Sequence, residues 1–130
     1  MIDFVVDTHA LFWYLTDDSR LGNDASAVFD QAEQGLAFIH IPSIVIAELY
    51  FLVRKHRAAM DFGPQILQLE SAPQFILTPF DAEDVLDFDR DSAVKEMHDR
   101  IIVGVARRLD APLLTKDKNI IQSNLVNVVW

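Results

Sequence analysis

The stretch Met1-Ile2-Asp3-Phe4-Val5-Val6-Asp7-Thr8 decides the fold of this chain. Its centre, from Phe4 to Val6, is an unbroken apolar run of β-forming residues, which is typical of a central strand covered on both faces. An acid, Asp7, stands where this strand would leave the core. In open parallel sheets, ligands bind at the carboxyl ends of strands, near the point where the strand order reverses, so Asp7 is placed like a ligand-binding acid. The alternative for a single Asp here is that it only caps the following helix.

Strands and helices alternate along the rest of the chain. Further strands are predicted at residues 36–40, 75–78, 113–115 and 126–130, and helices at 8–16, 23–34, 43–57, 65–70, 81–90, 99–109 and 117–123. This alternation predicts an α/β domain with a mostly parallel central sheet. No repeat, low-complexity segment or linker interrupts the 130 residues, a length that fits one domain.

Three local signals refine these helices. Asn23 is the expected N-cap of the second helix. Gly63-Pro64 is expected to break the chain before a brief helix. The helix at 43–57, opened by Pro42 and Ser43, is apolar nearly all round and is therefore expected to be largely buried.

The composition is that of an ordinary globular protein, with 51% hydrophobic residues, 24% charged residues and no Cys. The lack of Cys excludes disulfides and thiolate metal sites and suits a cytoplasmic protein. Neither a signal peptide nor a membrane span is visible. The net charge of −9 argues against broad, non-specific nucleic-acid binding, because such surfaces are basic. It leaves room for an acidic metal site that handles one phosphate with local help from Arg and Lys.

Three further acids share the placement of Asp7. Asp117 follows the fourth predicted strand, Asp99 opens a helix, and Glu48 lies near the start of the helix after the second strand. Helix starts and strand ends lie on the same edge of a sheet in right-handed β-α-β connections, so all four side chains can converge. Converging carboxylates repel one another unless a cation is present. Oxygen ligands favour Mg²⁺ or Mn²⁺, which can clamp a phosphodiester and activate water.

Each later acid also has a simpler interpretation. Asp99 and Asp117, taken singly, are more often helix caps than metal ligands. Glu48 can be the buried ion-pair partner of an Arg, although a charge within an apolar helix face needs a specific reason.

Residues beside the acids have two interpretations as well. Lys116 and Lys118 flank the last acid and can meet a phosphate or form a solvated surface pair. The aromatic run at 12–14 can stack bases, although core packing or a partner interface is the commoner use. His9 and His98 also adjoin site candidates, but such residues are usually solvated or capping.

Four segments together resemble the PIN domain family, and most closely the toxins of VapC-type toxin–antitoxin pairs. They occur in the family's order at residues 5–13, 43–49, 98–106 and 114–117. The resemblance covers essentially the whole chain. It implies a single PIN-like three-layer α/β/α domain over residues 1–130 that acts as a Mg²⁺- or Mn²⁺-dependent endoribonuclease.

The resemblance also assigns roles by position. The implied catalytic and metal-binding acids are Asp7, Glu48, Asp99 and Asp117, and the implied supporting residues are Thr8, Arg100 and Thr115. RNA is the implied substrate, and the implied partners are a cognate antitoxin, whose C-terminal segment covers the site, and a second copy of the chain.

Two alternatives from other classes stay open. The first is a catalytically silent PIN-like interaction module that binds a protein partner through its aromatic helix. The second is a phosphate-receiving signalling domain, which would need a second acid beside Asp7. Part of the aromatic surface is in any case expected to pack against an antitoxin or a second protomer, and its members are Phe12, Trp13, Tyr14, Tyr50 and Phe51.

Overall fold

The five strands form one wholly parallel sheet in the structure, a computed structural model that describes residues 1–130. The strands are β1 (Ile2–Val6), β2 (Ala37–Pro42), β3 (Phe75–Thr78), β4 (Leu113–Leu114) and β5 (Val128–Val129). Their order is β3-β2-β1-β4-β5, and every neighbouring pair is parallel. The chain therefore builds outward from β1 in one direction and then in the other, and the strand order reverses between β1 and β4.

Seven helices cover the sheet. They are α1 (Thr8–Leu15), α2 (Asn23–Glu33), α3 (Ser43–Lys55), α4 (Phe62–Ser71), α5 (Ala82–Val85), α6 (Met97–Leu109) and α7 (Lys118–Ser123). Consecutive residues of the central strands, such as Val5 with Val6 and Leu113 with Leu114, are fully buried. Successive side chains point to opposite faces of a sheet, so both faces are covered. The predicted α/β/α class is confirmed. No helix is both long and apolar enough to cross a membrane.

The start of α2 differs from the prediction. Asn23 is the first helical residue rather than the N-cap. The N-cap is Gly22, which has no side chain that could accept a hydrogen bond. The backbone oxygen of Trp130 accepts hydrogen bonds from the N–H groups of Asp24 (3.0 Å) and Ala25 (3.3 Å) instead. Trp130, the residue after β5, thus supplies the cap of α2.

Two other helix bounds were also predicted incorrectly. Gly63-Pro64 does not break the chain, because α4 begins at Phe62 and Pro is tolerated in a first turn, where its missing N–H has no helical partner. The helix predicted at 81–90 is a single turn that ends at Val85. The Asp-rich segment beyond it has low helix propensity and is bound by arginines of α6 through Asp87 and Asp91.

The expectation that α3 is largely buried is wrong. Only Val45, Leu49 and Val53 of this helix are buried, whereas Tyr50 is 36% and Phe51 70% exposed. The hydrophobic composition of α3 therefore exceeds what the core covers, and one apolar face remains open.

Candidate active site

A cleft of about 1200 Å³ opens at the carboxyl ends of β1 and β4, where the strand order reverses. Helices α1, α3 and α6 and the residues before α7 border it. All four predicted acids line this cleft, together with a fifth that the sequence did not suggest, Glu96. The acids come from four separate segments of the chain, so the fold is what brings them together.

Asp7 and Asp117 both cap helices and still face the cleft. Asp7 Oδ1 accepts the N–H of Ala10 (2.9 Å) at the start of α1. Asp117 Oδ1 accepts the N–H groups of Asn119 (2.8 Å) and Ile120 (3.1 Å) at the start of α7. The capping bonds fix one carboxylate oxygen of each residue, and the second oxygen of Asp117 stays available for a ligand. The same acid can therefore cap a helix and still offer an oxygen to a ligand.

Thr115 links these two acids. Its fully buried hydroxyl accepts the N–H of Asp117 at 3.1 Å, and the same hydroxyl lowers the pKa of Asp7. The link follows from the register, because Val6 lies beside Leu114 and the next residues of both strands emerge together.

Glu48 is held by a hydroxyl and a histidine rather than by an arginine. The buried Thr8 hydroxyl donates to Glu48 Oε1 at 2.7 Å, and His98 Nδ1 lies 3.4 Å from Glu48 Oε2. The alternative of a structural ion pair with Arg is not realised. Thr8 and His98 instead orient the carboxylate at the cleft.

Asp99 is not the cap of its helix. The helix α6 begins two residues earlier, and Glu96 Oε2 caps it by accepting the N–H of Asp99 at 2.7 Å. Glu is not among the residues that usually cap helices, so little in the sequence indicated this role for Glu96. Asp99 stands in the first turn of α6 and lines the cleft.

Burial and mutual repulsion raise the pKa of two of these acids. Burial is the main cause that raises the pKa of Asp7 to about 6, and the charges of Asp117 and Glu48 add to it against the opposing hydrogen bonds of Thr115 and Ala10. Burial also raises the pKa of Asp99 to about 6, followed by the charges of Asp117, Glu96, Glu48 and Asp7. The acids therefore act on one another electrostatically, as converging carboxylates do.

The acids line the cleft, but their side chains do not converge on a single point. No group of three or more His, Asp or Glu side chains is arranged closely enough to enclose a metal ion. The structure thus assembles oxygen ligands along a shared cleft without completing a coordination sphere.

Arg100 lies outside the cleft. Its guanidinium donates to the backbone oxygens of Val94 (2.7 Å) and Phe88 (3.4 Å) and stands 5.9 Å from the centre of the Phe88 ring. Any support that Arg100 gives to the site is exerted through the segment before α6.

The aromatic run of α1 belongs mainly to the core. Phe12 and Trp13 are buried, and Tyr14 stacks on Phe29 with ring centres 4.0 Å apart. Trp13 also borders the cleft, where Lys116 Nζ lies 4.7 Å from its ring centre and Trp130 contacts it at 5.8 Å. The prediction that five aromatic residues form an open surface is wrong for Phe12 and Trp13.

The parallel sheet and the acid-lined cleft, at the point where the strand order reverses, place this chain in a class of α/β domains with a candidate hydrolytic site. The sequence model of the PIN domain family matches residues 4–124, so the chain belongs to the PIN domain family. Domains of this family are generally nucleases. The comparison with curated proteins by sequence gives no match.

Three solved structures share the fold at low sequence identity. VapBC2 from Rickettsia felis, bound to a DNA fragment from its promoter, superposes with a TM-score of 0.70 at 16% identity over 98% of this chain and 97% of that chain. FitAcB from Neisseria gonorrhoeae gives 0.65 at 20% identity over 96% and 95%. The PIN domain endonuclease Utp24 gives 0.50 at 15% identity over 98% and 90%.

Proposed function

We propose that this protein is a Mg²⁺- or Mn²⁺-dependent endoribonuclease that acts, as a single domain, as the toxin of a toxin–antitoxin pair. The observation that carries the proposal is the meeting of Asp7, Glu48, Asp99 and Asp117, from four segments, in one cleft at the reversal of the sheet. The silent interaction module is not favoured, because every acid that the family resemblance requires is present.

The donor set fits a hard divalent cation. The cleft offers carboxylate oxygens and no thiolate, and burial with mutual repulsion raises the pKa of Asp7 and Asp99, a penalty that a bound cation would relieve. Asp7, Glu48, Asp99 and Asp117 would hold the ion. When bound, such an ion supplies a more acidic water and charge stabilisation at a phosphodiester.

The chain's own residues prepare this chemistry. The capping bonds fix Asp7 and Asp117, Thr115 holds the backbone N–H of Asp117, and Thr8 fixes Glu48, so the carboxylates need little reorganisation. Lys116 supplies a positive charge at the cleft for the phosphate. Water adds to phosphorus as the bond to the 3′-oxygen breaks. One water proton passes to a carboxylate and is returned through solvent to the leaving 3′-oxygen, and the other stays on the oxygen now bonded to phosphorus. The products are a 5′-phosphate and a 3′-hydroxyl, and the carboxylate is regenerated.

The same proposal includes partners and location. We expect a cytoplasmic homodimer that is inhibited by a cognate antitoxin, whose C-terminal segment covers the cleft. The structural similarity to VapBC2 and FitAcB supports an antitoxin partner. Co-expression with the product of a small adjacent gene that encodes a DNA-binding protein should yield a complex without nuclease activity.

The direct test is cleavage by purified protein. Single-stranded or structured RNA should be cut with Mg²⁺ or Mn²⁺ and should stay intact in excess chelator. The Asp99→Asn protein, purified in parallel, controls for contaminating nucleases. Equal cleavage with and without chelator would refute the mechanism.

A further inference from the structure

One wall of the cleft is formed by the last two turns of α3. We call it the α3 wall and define it by Phe51, Leu52, Arg54 and Lys55, all of which line the cleft. Phe51, Leu52 and Lys55 follow Glu48 at the spacing i+3, i+4 and i+7, which places them on one face of the helix. The wall is thus continuous with the acids and extends roughly 10 Å from Glu48, at 1.5 Å per residue.

Phe51 is an aromatic side chain that the fold leaves open. It is 70% exposed and contacts the Tyr50 ring edge-on at 5.2 Å. Tyr50 itself is more enclosed, because the Phe62 ring (5.4 Å) and the Arg54 guanidinium (4.4 Å) also pack against it. Phe51 is therefore available to a ligand in the cleft.

The cations that face the cleft have no acidic partners. Arg20, Arg107 and Arg108 form salt bridges with Asp residues elsewhere, whereas Arg54, Lys55 and Lys116 form none. In a chain of net charge −9, these three cations add positive charge to a cleft that is lined by five acids. Their charge complements phosphates and opposes the repulsion from the acids.

We propose that the α3 wall binds the unpaired nucleotides that flank the scissile phosphate, with Phe51 stacking on a base and Arg54 and Lys55 contacting phosphates. This inference rests on the proposed ribonuclease function and names its substrate form, single-stranded RNA. Aromatic platforms beside a charged groove bind single strands, because every base has a face to stack, whereas a paired base within a duplex does not expose it. RNA fits the wall better than a protein does, because cations without acidic partners stand here beside an open aromatic ring. A protein interface would use Phe and Arg as well, but its core is depleted in Lys.

Stacking is tested by binding in a non-cleaving background. All proteins carry Asp99→Asn, and the probe is a short fluorescein-labelled single-stranded RNA of mixed sequence, followed by anisotropy in Mg²⁺. Phe51→Ala should weaken binding by about 5- to 100-fold, the usual range for loss of one stacked base. Phe80→Ala, which removes a partly exposed aromatic ring outside the cleft, should bind like the parent. The same RNA annealed to its complement should bind Phe51→Ala and parent proteins equally.

Phosphate contact is tested by salt dependence. The double variant Arg54→Gln/Lys55→Gln should reduce the slope of log K against log salt concentration by about 1.4, or about 0.7 for each single-strand phosphate contact. Arg57→Gln/Arg90→Gln changes the net charge equally outside the cleft and should leave the slope unchanged. Phe51→Ala should lower affinity at every salt concentration without altering the slope.

The outcomes separate this inference from the function on which it rests. If the wild-type protein cleaves RNA with Mg²⁺ but Phe51→Ala leaves single-strand affinity unchanged, the inference is overturned and the function stands. If Phe51→Ala instead turns a dimer into a monomer at unchanged affinity, the wall is a protein interface and the inference again fails. A wild-type protein that neither binds nor cleaves RNA would refute both.

Discussion

At Asp99 the structure separates two roles that look alike in sequence. Glu96 caps α6, so Asp99→Asn removes no capping bond and should give a folded protein without nuclease activity. The raised pKa of Asp99 means that folding opposes its ionisation. This destabilisation is complete above pH 6 and disappears as the pH falls below the ordinary value near 3.8.

Asp99→Asn removes this ionisable group, so the variant should be relieved of the destabilisation at the pH values where the wild type has it. In chelator at pH 7 the variant should be more stable than wild type by about 1 kcal/mol, after allowance for solvent screening. The difference should shrink between pH 6 and pH 4, as measured by urea unfolding of both proteins. A variant that is less stable at pH 7 would contradict the repulsion among these acids.

Protons and a metal cation compete for the same carboxylates, and this competition gives a second prediction for individual residues. Asp7 and Asp99, each with a pKa raised to about 6, must lose protons before they can bind a cation. Mn²⁺ affinity, measured by calorimetry, should therefore fall steeply as the pH drops below 6 and level off above 7. An affinity that is constant between pH 5 and pH 7 would exclude these two acids as ligands.

At the scale of elements, the capping of α2 by Trp130, the residue after β5, requires a glycine at position 22. A Cβ at position 22 would lie 2.6 Å from Trp130 Cδ1, closer than carbon atoms pack, so Gly22→Ala must displace Trp130 from the cap. We expect a loss of about 1–3 kcal/mol in the free energy of unfolding, measured by urea titration. Gly63→Ala is the matched control, since nothing lies within 4 Å there and α4 should gain slightly. Equal stabilities of the two variants would contradict the contact.

The segment before α6 is held by a buried ion pair. Asp91 is 1% exposed and accepts from Arg107 Nε at 2.8 Å. Arg107→Met would leave a buried charge unpaired and should cost about 3–5 kcal/mol. Arg108→Met is the comparison, because Arg108 is paired only with the more exposed Asp84 and Asp87 and should cost less than about 1 kcal/mol. Thermal unfolding of both variants tests the difference, and equal losses would contradict it.

Much of the arrangement of elements followed from the sequence. The apolar strands and the acid after β1 were predictable, because a buried strand and its exit leave a local pattern. The open face of α3 was not predictable, since apolar composition does not tell which neighbours cover a helix. The orientation of the Arg100 side chain was likewise not predictable, because hydrogen bonds to the backbone oxygens of Val94 and Phe88 determine it. The role of Glu96 was not predictable either, because Glu is an unusual helix cap and its bond to Asp99 N–H depends on the local fold.

At the scale of the whole molecule, exposed hydrophobic residues favour self-association. Leu67, Leu86 and Met97, all outside the cleft, are 65%, 84% and 56% exposed, respectively. Light scattering should give twice the chain mass of 14.8 kDa for the isolated protein. A strict monomer at high concentration would contradict the proposed homodimer.

The contact between Trp13 and Trp130 has an optical consequence. These are the only two tryptophans of the chain, and their ring centres lie 5.8 Å apart at an angle of 66° beside the cleft. Their indoles should therefore couple and give a near-ultraviolet circular dichroism signal that vanishes on unfolding. Because Lys116 lies 4.7 Å from the Trp13 ring, an anion that draws this amine away should also change the fluorescence. The unlabelled protein thus carries its own reporter of what enters the cleft.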